Sequence, residues 1–237
     1  MGRCGCARLN RYSDMKPELR IGVIDSGHSE KQARFVRGGQ RFCLTHDGLD
    51  RLPLTTDLLG HGSAVCEAIL SRAPEARLCV AQVFDERGVT SPLQIAAALN
   101  WLAGQGVRLI NLSLGVRQDR PILHDAVADL VAAGVLICAS SPAQGDPVFP
   151  ASYPGVIRVT GDARCRDGEW SWLDSSQADF GAAVSLAGRS GASLGCAAFC
   201  GHLASMLAES PELSNLELIE LMRERAPYHG VERKMDI

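Results

Sequence analysis

Residues 20–25 read Arg-Ile-Gly-Val-Ile-Asp, and Ser26-Gly27 follow. Ile21, Val23 and Ile24 leave no polar face, so the segment reads as a strand buried on both sides. It ends in a carboxylate and a turn. Working outward, short β-branched runs alternate with longer helical patterns. His61 to Ser71 carries apolar residues at 65, 68 and 69, a helical spacing, and Ala76 to Phe84 is strand-like. A helix is predicted over Pro92–Gly104, with Ser91 as N-cap, Pro in the first turn and Gly at the end. Val107 to Ser113 is a strand, Ile122 to Ala133 a helix, and Val135–Ala139 and Val156–Thr160 strands. Residues 193–209 and 214–225 are helical. This alternation predicts an α/β fold, a mainly parallel sheet with helices on both faces. A single domain is expected over residues 20–237, preceded by a basic tail over residues 1–19.

Composition narrows the class. The 237 residues are 46% hydrophobic and 22% charged, ordinary for a globular chain long enough to bury a full core. Net charge is −3, so a strongly basic nucleic-acid footprint is absent and no nucleic-acid partner is expected. The longest apolar run, Val131 to Ala139, is far short of a bilayer span, so no membrane partner is expected either. No apolar stretch follows the first residues, as a secretory signal would require. Nine cysteines without such a signal fit a reducing cytosol and free thiols, hence an expected cytoplasmic location. Cys4 and Cys6 stand close together, with no second pair at zinc spacing beside them. No metal site and no cofactor are expected.

Three places carry polar residues where such a sheet gathers function, at the carboxyl ends of its strands. Asp25 ends the first strand; a carboxylate there can orient a histidine, bind a ribose, hold a metal, or merely cap a turn. His61 lies between Gly60 and Gly62 at a helix start, where glycines let backbone or substrate approach the imidazole. Ser193 follows a Gly-rich turn and heads an apolar helix, where developing negative charge is favoured; a plain N-cap is the other reading. Asp, His and Ser in that chain order, each on a glycine-bracketed strand end or helix start, make a coherent nucleophilic set. The serine attacks a carbonyl, the histidine takes its proton, and the aspartate holds the imidazole. His28 and His202 read as a polar loop residue and a packed helix residue, and Trp170 and Trp172 as core packing.

At these motifs the sequence resembles the subtilisin family of serine peptidases. Ile21-Gly-Val-Ile-Asp25-Ser-Gly is similar to the family's Asp motif, and Gly60-His61-Gly-Ser-Ala-Val to its His motif. Gly191-Ala-Ser193-Leu-Gly-Cys-Ala resembles its Ser motif, with several usual residues replaced. Val107 to Gly115 looks like the strand that lines the substrate cleft, which implies that Ser113, Leu114 and Gly115 bind substrate. A substrate of this kind is a protein or peptide. The resemblance spans roughly residues 20–226 and implies a subtilisin-like fold and Asp25-His61-Ser193 catalysis.

Two departures from the family shape the expectation. Its usual oxyanion amide, an Asn, falls on Ala143 when Val135–Gly145 is laid against it without gaps. Gln144 is the first candidate to replace it and Ser141 the second; loss of such a donor costs roughly 10²–10³ in kcat. Only 24 residues precede Asp25, and no oxygen-rich calcium loop is evident. The chain is therefore similar to short intracellular maturation peptidases that make one limited cut, and a leader-bearing precursor is the expected partner. The rival reading is a subtilase-fold peptide-binding module with weak or no catalysis.

Overall fold

The computed structural model describes residues 18–186 and 189–231. Most of the expected basic tail, with Cys4 and Cys6, lies outside the described residues. Its last two positions do not: Leu19 packs against the core, and the Glu18 carboxylate accepts from Arg20 Nε at 3.1 Å and Arg37 Nε at 2.7 Å.

The elements run β1 (Arg20–Asp25), a 3-10 turn (Glu30–Phe35), β2 (Val36–Thr45), β3 (Gly48–Leu52), α1 (His61–Leu70), β4 (Arg77–Gln82), α2 (Pro92–Ala103), β5 (Leu109–Leu112) and α3 (Pro121–Ala132). They continue with β6 (Leu136–Ser140), β7 (Val156–Gly161), β8 (Trp170–Trp172), β9 (Phe180–Ala182), β10 (Ser185–Leu186), β11 (Arg189–Ser190), α4 (Ala192–Glu209), α5 (Asn215–Glu224) and β12 (Tyr228–His229). Ten strands form one sheet in the order β12-β8-β9-β7-β6-β5-β1-β4-β2-β3. From β9 to β2 every neighbouring pair is parallel; β8 on β9 and β3 on β2 are antiparallel.

The chain starts in the middle of this sheet and builds outward on both sides. Ile21 of β1 pairs in register with Leu78 of β4 and with Leu109 of β5. The strand order reverses between β1 and β5, the place where sheets of this kind gather function at the carboxyl ends of their strands. Alternate residues of β1 feed two cores. Ile21 and Val23 join the layer under α1, α4 and α5, and Ile24 joins the layer under α2 and α3. All three are fully buried, each worth about 1.5–3 kcal/mol. The Ser91 hydroxyl accepts from Gln94 N at the start of α2, the expected cap, and Gly104 ends the helix. Trp170 and Trp172 are packing residues: Trp170 Nε1 donates to Met222 O at 2.8 Å, and Trp172 meets Phe180 edge-on at 4.9 Å.

The hairpin β2–β3 is an addition to the expected set of elements. It forms one edge of the sheet, and its turn holds Asp47-Gly48, with Gly48 at φ +131°.

Candidate active site

Asp25 is fully buried at the carboxyl end of β1, and its Oδ1 accepts from the Ser26 backbone N–H at 2.7 Å. His61 opens α1, and its Nδ1 lies 2.8 Å from the same Oδ1. A buried carboxylate facing Nδ1 fixes the tautomer: Nδ1 carries the proton and Nε2 is left basic. The imidazole is 37% exposed, so this buried anion orients a ring that reaches the surface.

The two glycines beside His61 have separate reasons. Gly60 caps α1 at φ +67°, a left-handed conformation. Gly62 lies against the turn that follows β1: a Cβ there would sit 2.3 Å from Gly27 O. That close contact brings the Asp-bearing and His-bearing turns together.

A second carboxylate locks them in place. Asp57 Oδ1 accepts from Ser26 Oγ at 2.8 Å and from Gly60 N at 2.8 Å; Oδ2 accepts from Ser63 N at 2.8 Å and Ser63 Oγ at 2.6 Å. The Ser26 hydroxyl has one proton, which goes to Asp57, and its oxygen accepts from Gly62 N at 2.8 Å. Burial works against the Asp57 charge, but the bonds from Ser63, Ser26 and Gly60 outweigh it and hold the carboxyl below its ordinary range. Asp57 was not among the residues expected at the site; an Asp four positions ahead of a glycine-flanked His was the available signal.

Ser193 is the second residue of α4, after Gly191, which offers no side-chain cap. The early N–H groups of a helix have no partner four residues back, so they remain for an anion. Ser193 Oγ donates to Ser113 O at 2.9 Å, and Ser113 Oγ donates to Ser193 O at 2.8 Å. Behind this reciprocal pair, Asn111 Nδ2 donates to Ser113 Oγ at 2.9 Å, and Asn111 Oδ1 accepts from Cys196 Sγ at 3.5 Å. Asn111 is fully buried in β5, where an amide is costly unless bonded on both sides. It too was missed, although an Asn inside an apolar strand signals such a network. Burial pushes the Cys196 thiol up, so it serves as a donor and not as a thiolate.

The expected cleft residues follow β5. Ser113 and Leu114 are buried and Gly115 is exposed, packed near Val148. Gln144 lies in the exposed stretch of the loop after β6, beside Ala143. Ser141 is withdrawn as an oxyanion donor: it is buried, and its hydroxyl donates to Gln177 O at 2.6 Å. His28 faces Ser29 O at 2.8 Å. His202 is buried on α4, accepts from Arg72 Nε at 3.0 Å and stacks obliquely on Trp170. Among the described residues no cluster of three potential metal ligands exists, and no helix is long and apolar enough to cross a membrane.

A carboxylate-oriented imidazole and a serine heading a helix stand at the carboxyl edge of one largely parallel sheet, the architecture of a subtilisin-like fold. Comparison with known proteins agrees. The profile of the subtilase family, Peptidase_S8, matches residues 17–235, and the chain belongs to that family. It is 30% identical over 154 residues to the minor extracellular protease Epr of Bacillus subtilis (strain 168), covering 60% of this chain and 23% of that one. To subtilisin Savinase of Lederbergia lenta it is 31% identical over 152 residues, covering 60% and 54%. The chain thus matches only part of the length of these curated relatives. Among solved structures, a cold-adapted subtilisin-like serine proteinase superposes with TM-score 0.71 at 23% identity, covering 90% of this chain and 84% of that one. A lanthipeptide protease superposes with TM-score 0.62 at 18% identity, covering 86% and 79%. These establish the shared fold.

Proposed function

We infer that the chain is a serine endopeptidase in which Asp25, His61 and Ser193 act together. The observation that carries this is the 2.8 Å contact of His61 Nδ1 with a carboxylate that is itself buried. In this reading Ser193 Oγ leaves the Ser113 carbonyl, gives its proton to His61 Nε2 and attacks the scissile carbonyl. The oxyanion is received by the Ser193 N–H and by the Gln144 amide. His61 then protonates the leaving amine, and water releases the acyl group by the reverse sequence.

The substrate is read as an extended strand along Ser113-Leu114-Gly115 and the edge from Gly88 to Ser91. Main-chain pairing of this kind tolerates many sequences. We read the physiological reaction as one limited cut that removes a leader from a precursor. The small γ subunit of quinohemoprotein amine dehydrogenase is a fitting precursor of this kind. A cytoplasmic location suits the seven described cysteines, all free.

A fluorophosphonate probe tests the reading without a known substrate. The parent chain is expected to be labelled at Ser193, and Ser193→Ala to lose the label while keeping its thermal midpoint. The same substitution should lower kcat on a cleaved precursor by about six decades. An unlabelled parent chain would replace the peptidase with a peptide-binding module.

A further inference from the structure

The loop that follows β6 is held at its ends and at one point between. At its start Ser141 N donates to Val159 O at 2.8 Å, carrying β6 further along β7. At its end Val116 and Phe149 exchange backbone bonds of 2.7 and 2.9 Å. Residues 143–147 are exposed. Among the described residues, residues 142–147 receive one hydrogen bond from outside the loop, Gln177 Nε2 to Gly145 O at 3.0 Å. The carbonyl of the same Gln177 accepts from Ser141 Oγ. One residue therefore grips the loop at 141 and at 145, and Ala143 and Gln144 lie between the grips.

Gln177 is itself fixed to the sheet. Its turn closes with Ser175 N on Ala178 O at 3.1 Å and Ala178 N on Ser175 Oγ at 3.0 Å. Arg158 of β7 donates to Ser176 O at 2.8 Å and forms an ion pair with Asp179, the residue after Ala178. The gripped loop leaves the strand beside the one on which the helix of Ser193 rests. The first turn of α4 rests on the end of β7, with Gly195 against Thr160 and Gly161, and β6 is the next strand over.

We propose that Gln177 is a positioning residue for oxyanion stabilisation: by clamping the loop at Ser141 and Gly145, it holds the Gln144 amide where the developing oxyanion forms. This rests on the serine-peptidase reading. It explains how an exposed loop without the family's Asn can present a donor in fixed geometry, the condition for such a donor to be worth much.

The test is the rate of Ser193 phosphonylation by a fluorophosphonate, resolved into its first-order rate and half-saturating concentration. Gln177→Ala and Gln144→Ala should each lower the first-order rate by about 10²-fold, the loss of one oxyanion donor, with half-saturation little changed. The double variant should be no slower than Gln144→Ala alone, because both remove the same interaction. Gln177→Glu, which keeps the size but faces Gly145 O with an acceptor, should lose as much as Gln177→Ala. A parent-like rate in Gln177→Glu or in Gln144→Ala, or losses that multiply in the double variant, would overturn the proposal and leave the peptidase reading intact. A parent chain unlabelled at Ser193 would overturn both.

Discussion

Asp57→Asn is the sharpest perturbation the site offers, because it changes one atom of a carboxylate that accepts four hydrogen bonds. An amide has one accepting oxygen. Whichever way it faces, the backbone N–H of Gly60 or of Ser63 then meets an NH2 group. A half-buried donor left unpaired and a lost bond to a charged acceptor are together expected to cost about 2–3 kcal/mol. For a chain of this size that is a fall of roughly 5–10 °C in thermal midpoint. Activity should fall further than stability explains. Ser26 Oγ is aimed by Asp57 and in turn receives Gly62 N, so the His61 turn loosens on both sides. Displacing a catalytic group by about 1 Å costs on the order of 10²-fold, and the phosphonylation rate of Ser193 should drop by about 10–10²-fold at a temperature where the variant is fully folded. Thermal melts and labelling kinetics on the same preparation measure both. A variant that melts with the parent and labels at the parent's rate would refute Asp57 as the lock between the two turns.

The remaining predictions are narrower. Asn111→Leu removes the donor to Ser113 Oγ and the acceptor for Cys196; the labelling rate should fall about 2–10-fold, the worth of one neutral bond, and equal rates would disconnect Asn111 from the nucleophile. Burial, and then the Arg72 charge, push the His202 pKa down to about 4. The unfolded chain therefore takes up this proton first, and His202 should cost about 3 kcal/mol of stability as pH falls from about 6.5 to about 4. Urea midpoints of the parent and His202→Gln should diverge across that window; parallel curves would contradict the assignment. EDTA should leave the thermal midpoint unchanged, and a clear drop would reveal a bound ion.

The framework of the fold was legible because its signals are local. Ser91, Pro92 and Gly104 mark α2 within thirteen positions, and Ile21, Val23 and Ile24 need no partner to read as a buried strand. The hairpin β2–β3 was not read, because Val36-Arg-Gly-Gly-Gln-Arg alternates poorly and sits at a half-exposed edge. Its Asp47-Gly48 turn was the usable signal. In the site, Asp25, His61 and Ser193 stood out through their glycines. Gln177 acts on residues more than thirty positions away and Asn111 on Cys196, eighty-five away. Such roles arise from strand order, which no short window contains. Ser141 was overvalued for the same reason, since its true partner lies on another turn.

The position of β1 has a consequence for how the molecule comes to life. The first strand is central, and its neighbours on both sides arrive later in the chain: β4 after one helix and β5 after two. Ser193 arrives later still, on α4. Parallel pairings across such separations form slowly, because each closes a long loop before it gains contacts. No early folding fragment holds both Asp25 and Ser193 in place, so on the serine-peptidase reading a nascent or half-folded chain is inactive. Labelling at Ser193 during refolding should therefore rise only with the slowest structural phase, which makes the probe a counter of native molecules.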